Sequence, residues 1–305
     1  MRRFLRDIGL FLLPIAVMAI GLEWIAESIP NSYTYKRDYV EQNGATVETL
    51  ILGSSNAYDG INPSVLPHAF NLANSSQTIE DDYRLLVRYI DDIDSLQMVI
   101  VGLGYHSLSA ATEDNRHTYY TIYMNLYPRW PISKYSFEVF NLELLTKKII
   151  KYAVSRDVTR CDSLGQRVGH TKAAVVDGKE FWNKDAAALA QNDAFDVRHS
   201  LNVIEKNKSY LYAIINLCEV QHVQPVIVTM PVKAEYKKVM PTEQIALHDS
   251  VMRSLPSSAI YIDASDWHIS DDGWYNATHL TREKSEEFTE RLWEDIVDRN
   301  LERDR

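Results

Sequence analysis

The chain has 305 residues, 46% hydrophobic and 24% charged, with a formal net charge of -10. This is ordinary globular composition with enough length for a full core, and the excess of acid argues against a nucleic-acid partner. Two cysteines, Cys161 and Cys218, are too few for a disulfide framework or a zinc site, and leave a single disulfide open in an oxidising compartment.

Residues 1–30 begin with Arg2, Arg3 and Arg6, followed by an apolar run from Ile8 to Leu22 that Trp24, Ile25 and Ala26 extend past Glu23. The run is apolar on all sides, which argues against an amphipathic surface helix. It reads as an uncleaved signal anchor; a signal peptide cut after Ala19 is the other reading. Arginines before the run, with Glu23 and Glu27 after or within its end, predict an N-in, C-out orientation. The rest of the chain is then expected outside the cytoplasm.

Residues 31–47 read as a juxtamembrane connector with some helix, and 48–305 as the main domain. Short apolar runs predict buried parallel strands at ETLILG (48–53), AFNLA (69–73), QMVIVGLG (97–104), PVIVTM (225–230) and AIYIDA (259–264). Helical periodicity lies between or after them at 78–93, 200–220 and 281–300, the last opening on Thr281 as N-cap with Glu283 in its first turn. Strands alternating with helices predict an α/β fold: a doubly wound, flavodoxin-like parallel sheet of about five strands with helices on both faces. The segment 107–196 breaks the rhythm. It is Tyr-rich, then helical over 136–154, then irregular around CDSLGQRVGH, and reads as a mostly helical insertion after the third strand. A lid over substrate and a peripheral subdomain are equally open. Its Tyr119, Tyr120, Tyr123, Tyr127 and Trp130 would suit sugar stacking, although aromatics at helical spacing are more often core.

Two places carry chemistry. The first strand ends at Gly53 and is followed at once by Ser54 and Ser55. Open parallel sheets place their chemistry at the carboxyl ends of strands, so this is either a turn or the presentation of a nucleophile. Near the C-terminus, His279 stands just ahead of the last helix, with Asn276 three positions before it. A general base needs an exposed imidazole on a rigid element. In the predicted fold Ser55 and His279 meet at one sheet edge.

These residues resemble the sequence blocks of the SGNH (GDSL-type) hydrolase superfamily. The resemblance is particularly to its membrane-anchored, extracytoplasmic branch associated with polysaccharide O-acetylation. The family's first block, Gly-Asp-Ser or Gly-Ser-Ser after a strand, is similar to Gly53-Ser54-Ser55, and its last, Asp-x-x-His-Leu, to Asn276-Ala277-Thr278-His279-Leu280. The second block matches loosely over Asn71–Ser76, and the third, Gly-x-Asn-Asp, is essentially missing where Gly104-Tyr105-His106 stands. The resemblance implies Ser55 as nucleophile, His279 as base, Asn276 in the place of the orienting acid, and an oxyanion hole from the backbone of Ser55 and the turn at Ala73 and Asn74. Tyr105, His106 or Asn74 would stand in for the missing third donor, and Asp272 or a backbone carbonyl for the missing acid. It also implies a bacterial inner-membrane protein with a periplasmic domain, an acylated glycan or small ester as substrate, and a multi-span membrane acyltransferase as acyl supplier.

The expected activity is therefore that of an esterase or O-acyltransferase, without metal or cofactor. Replacing Asp by Asn in a serine triad costs about 10⁴ in rate through the wrong tautomer. A catalytically degenerate glycan-binding or scaffold protein is thus the alternative; a lipid esterase would need a more apolar entrance. Asp263, Asp266 and His268 form no complete ligand set, and Gly102-Leu103-Gly104 is half a dinucleotide fingerprint. Arg198 and His199 suit a salt bridge better than an anion site, and Asn74-Ser75-Ser76 and Asn276-Ala277-Thr278 are glycosylation sequons by spelling only.

Overall fold

A computed structural model describes residues 1–156, 159–170, 179–195, 197 and 200–303. Arg198 and His199 lie outside the described residues. In chain order the helices are α1 (Arg2–Ser28), α2 (Ser32–Asn43), α3 (Ser55–Gly60), α4 (Ile79–Tyr89), α5 (Asp114–Tyr123), α6 (Leu142–Ser155), α7 (Lys179–Asp193), α8 (Leu201–Val220), α9 (Ala234–Val239), α10 (Thr242–Arg253) and α11 (Arg282–Arg303). The strands are β1 (Thr49–Gly53), β2 (Ala69–Asn71), β3 (Met98–Leu103), β4 (Gln224–Thr229), β5 (Ile260–Asp263), β6 (Trp274–Asn276) and β7 (His279–Leu280). The chain forms two compact units: Met1–Asp38 with Glu113–Arg160, and Tyr39–Thr112 with Cys161–Arg305.

In the first unit, α1 has 27 residues and leaves Phe4, Leu10, Phe11, Ile20 and Trp24 exposed. At 1.5 Å per residue it is about 40 Å long, enough to cross a hydrocarbon core of about 30 Å. By length and composition it is a candidate membrane span. Its C-terminal end is tied by polar contacts. Glu23 accepts the backbone N–H groups of Glu138 and Val139 at 3.0 and 2.9 Å. Lys148 donates to the Ala26 carbonyl and pairs with buried Glu138, both at 2.8 Å. The tyrosines of α5 are core here: Tyr120 and Tyr123 are buried, and Tyr120 meets Tyr33 edge-on at 5.1 Å. Tyr127 packs on His117, while Trp130 is exposed.

The second unit is built on a five-stranded parallel sheet in the order β2-β1-β3-β4-β5. The alternation of side chains across a strand separates two faces. Ile51, Ile100, Val226, Val228, Ile260 and Ile262 share a core with Ala57 of α3 and Phe288, Leu292 and Ile296 of α11. The opposite face takes α4, which packs on β1, and α8, which packs on β4. The chain runs from β1 outward to β2 and then crosses back to β3, so the order reverses between β1 and β3. That reversal opens a crevice at the strands' carboxyl ends, the usual ligand position in open α/β sheets.

The five strands follow the sequence reading, with β2 ending at Asn71. The helix expected over 78–93 is capped by a Thr78–Asp81 capping box and gives way after Tyr89 to a 3₁₀ turn at Ile90–Asp92. Pattern reading missed α5, α7, α9, α10 and the β6–β7 hairpin, which are short or weakly periodic. The insertion is divided, 113–160 falling in the first unit and the part from Cys161 onward in the second. Cys161 and Cys218 are not joined in a disulfide, and burial pushes the Cys218 thiol up to about 12.

The tip of β1 is a tight passage. Gly53 has φ +125°, and a Cβ there would lie 2.3 Å from the Gly102 carbonyl oxygen of β3. Its N–H donates to buried Asp82 at 2.8 Å, which also receives Gln77 Nε2 at 2.6 Å; burial raises the Asp82 carboxyl to about 7 against those bonds. Replacing Gly53 by Ala combines backbone strain with a clash, costing about 1–3 kcal/mol or more. The expected result is a lower thermal midpoint for the Gly53→Ala chain than for wild type, measured on the detergent-solubilised protein.

Candidate active site

Ser54 caps α3, so Ser55 occupies the first position of a short helix at the carboxyl end of β1. The helix sits directly under the crevice because Gly102 gives Ala57 room: a Cβ on Gly102 would lie 2.7 Å from the Ala57 Cβ. His279 arrives from the far end of the chain on the β6–β7 hairpin, in which Asn276 pairs with His279 across Ala277 and Thr278. The hairpin is pinned on both sides. Asp185 of α7 accepts the Ala277 N–H at 2.7 Å, and the Ala277 carbonyl accepts the Lys233 N–H at 2.9 Å. Asn56, next to the serine, donates its Nδ2 to the Thr278 carbonyl at 2.7 Å.

The two chemistry-bearing groups therefore meet. Ser55 Oγ lies 2.7 Å from His279 Nε2, and His279 Nδ1 lies 2.9 Å from Asn276 Oδ1. Which oxygen or nitrogen of Asn276 faces the ring follows from its neighbours. Its Oδ1 accepts the backbone N–H of Thr278 at 3.0 Å and of His279 at 2.9 Å, so the carbonyl end is held toward the ring. This is the Asx-turn habit of Asn used to hold a side chain. An acceptor at Nδ1 places the ring proton there and leaves Nε2 free to accept the serine proton. Thr278 Oγ1, also 2.9 Å from Nδ1, supports the same tautomer. Burial, opposed by Asp59, lowers the His279 imidazole to about 4, so it stands as the neutral base.

Three titratable groups near the pair, Asp59, Arg167 and His170, were not legible as site residues. Asp59, one helical turn after Ser55, is buried, with its Oδ2 3.8 Å from His279 Nε2. Arg167 Nε lies 3.1 Å from Asp59 Oδ1, and His170 Nδ1 lies 3.2 Å from Oδ2. Arg167 also reaches the Ser75 hydroxyl and covers the Tyr58 ring, and His170 stacks on Tyr275 with ring centroids 3.6 Å apart. Asp59 had one available signal, the four-residue spacing that puts it on the Ser55 side of a helix. Arg167 and His170 come from the irregular end of the insertion, where nothing in the pattern announces them.

Other expected residues fall differently. The Ala73 N–H donates to Asn71 Oδ1 at 3.0 Å and the Asn74 N–H to the Gly53 carbonyl at 3.2 Å, so these two backbone donors are already engaged. The oxyanion assignment to the Ala73 backbone is corrected on that ground. The Asn74 side chain is buried and makes no hydrogen bond among the described residues. Tyr105 turns away from Ser55, toward Ser265, Lys237 and His248. His106 stays beside the crevice, its ring against Gly104 and its Nδ1 3.8 Å from Asp193. Asp272 lies in the turn Asp271–Gly273 and is not among the described contacts of the His279 ring. The acid it was expected to supply is absent from that position.

No protein-family model matches the chain, and no curated protein matches it. Among solved structures the chain is similar to a Bacteroides fragilis protein whose acylhydrolase assignment is itself provisional. That match has 10% identity over 86% of this chain and 95% of the other, with a TM-score of 0.41.

Two outcomes follow for a working site. Asn276→Asp keeps all three N–H groups satisfied and is expected to hold ester turnover within about tenfold, whereas Asn276→Ala loses about 10²–10⁴ in kcat. The acidic limb of kcat/KM is expected near pH 4, not near 6.5, because His279 stays neutral down to about 4. The same depression makes the folded state lose stability as pH falls from about 6.5 toward 4, where the unfolded chain takes the proton first. A pH–rate profile and a pH series of melting curves read these two effects.

Proposed function

We propose that the chain is an SGNH-type esterase or O-acyltransferase working through a Ser55 acyl-enzyme. The observation that carries the reading is the relay from Ser55 Oγ to His279 Nε2 at 2.7 Å and from Nδ1 to Asn276 Oδ1 at 2.9 Å. Ser55 Oγ attacks the ester carbonyl while His279 takes its proton, and the imidazolium then protonates the departing alkoxide. Water or a sugar hydroxyl completes the cycle by attacking the acyl-enzyme. Ser55 N–H and the Asn74 side-chain amide supply the oxyanion donors; one such donor is worth about 3 kcal/mol in related chemistry.

The setting we infer is extracytoplasmic. α1 carries Arg2, Arg3 and Arg6 before its apolar stretch, which supports an N-in anchor by the positive-inside rule and a domain on the periplasmic side of a bacterial inner membrane. An acetylated cell-envelope or exported glycan is the substrate class that suits this setting and the sequence resemblance. A multi-span membrane acyltransferase would supply acyl groups for the transfer direction.

Turnover of p-nitrophenyl acetate by the detergent-solubilised full chain, beside its Ser55→Ala variant, tests the reading. The expected result is a loss of at least about 10³ in kcat in the variant. Equal rates in both would contradict esterase activity and favour a glycan-binding scaffold on the same fold.

A further inference from the structure

Resting on the Ser55–His279 reading, we propose that Asp59 acts through His279 as a positioning residue. From the nucleophile's own helix it supplies the negative charge that the neutral Asn276 amide lacks. Asp59 Oδ2 lies 3.8 Å from Nε2, the nitrogen that receives the serine proton, whereas Asn276 meets Nδ1 on the other side of the ring.

The state of this carboxylate separates it from a structural one. Buried acids are ordinarily saturated by hydrogen bonds. Two other buried acids of the same unit obey that rule: Asp82 takes the Gly53 N–H and Gln77, and Asp81 takes Thr78 and Thr112. Both oxygens of Asp59 are buried and make no hydrogen bond among the described residues. Its close neighbours are the Arg167 guanidinium, Nε 3.1 Å from Oδ1, and the His170 ring, Nδ1 3.2 Å from Oδ2. A buried carboxylate whose oxygens are left without hydrogen bonds projects its field into the site.

The chemistry uses that field at one moment. As the Ser55 Oγ–acyl bond forms, the hydroxyl proton passes to Nε2 and creates an imidazolium beside Asp59. As the ester C–O bond breaks, the same proton leaves with the alkoxide. Asp59 keeps its charge throughout and transfers no proton. Arg167 joins Asp59 to Ser75 in the Asn74–Ser76 turn, so one side chain braces both the carboxylate and the turn that bears Asn74.

The charged and titratable groups facing His279 give the test its sign. Asp59 favours the protonated ring; Arg167, His170 and His106 disfavour it, and burial disfavours it most. Histidine-labelled full-length protein in detergent micelles is titrated by NMR as wild type, Asp59→Asn, Asp59→Glu and Arg167→Gln, with kcat and KM measured on p-nitrophenyl acetate. Asp59→Asn is expected to lower the His279 pKa further and to reduce kcat about 10- to 100-fold at unchanged KM, as loss of a nearby partly screened charge implies. Asp59→Glu restores the charge and is expected to recover much of both, and Arg167→Gln is expected to raise the pKa. A rise in Asp59→Asn would mean that the change merely admits water, and would overturn the proposal, as would unchanged kcat in the folded variant. If Asp59→Asn does not fold, Arg167→Gln decides, since a fall or no movement there contradicts the coupling. A wild type without turnover sinks the esterase reading, while the opposed pKa shifts still report whether Asp59 governs His279.

Discussion

The hydrogen bond from Asn56 Nδ2 to the Thr278 carbonyl joins segments 222 residues apart, and the candidate site depends on it. Asn56 follows the serine directly, and Thr278 precedes the histidine directly. Holding these two neighbours fixes the nucleophile helix against the hairpin, and the Ser55–His279 contact follows from that clasp. The second anchor runs through α11. Thr289 accepts the Asn62 N–H beyond α3, and Ser285 receives Gln166 Nε2, which also bonds the Asp59 carbonyl. The last helix thus carries the charged 161–170 segment to the same place as the serine. Side chains fixed by packing and by secondary hydrogen bonds are what a reactive pair needs to keep its geometry.

Electrostatics in this site are divided among elements. Position and tautomer come from Asn276, whose oxygen is aimed by two backbone donors. On the proposal made for Asp59, negative charge comes from a different element and faces a different ring nitrogen. In an ordinary serine triad one aspartate does both. If Asp59 takes the charge as proposed, an Asn in the orienting position is chemically tolerable: the usual penalty arises from the wrong tautomer, and the backbone donors of Thr278 and His279 aim the Asn276 oxygen against it. Cradling Asp59 between Arg167 and His170 also offsets the desolvation of a buried carboxylate.

Much of this was legible in the sequence, for identifiable reasons. The strands are buried on both faces and read as unbroken apolar runs, so LILG and MVIVGL stand out, and strand–helix alternation leads to the sheet order. Ser55 and His279 were legible because a strand tip and a helix start are positions topology brings to one edge. The Ala73 donor misread a local contest, since Asn71 folds back on that N–H within the same turn. Asp59 carried no pattern of its own, because helix α3 is too short to show periodicity. Arg167 and His170 act only through tertiary contacts, so no local pattern could have placed them. The tyrosines of 119–127 turned out mostly as the packing interior of the first unit.

The central claim is that Ser55 is a nucleophile activated by His279, and covalent labelling addresses it most directly. The detergent-solubilised full chain would be treated with a fluorophosphonate and mapped by mass spectrometry. The account expects a single adduct on Ser55 that disappears in His279→Ala. No adduct, or one on Ser54 or elsewhere that survives the His279 change, would contradict it.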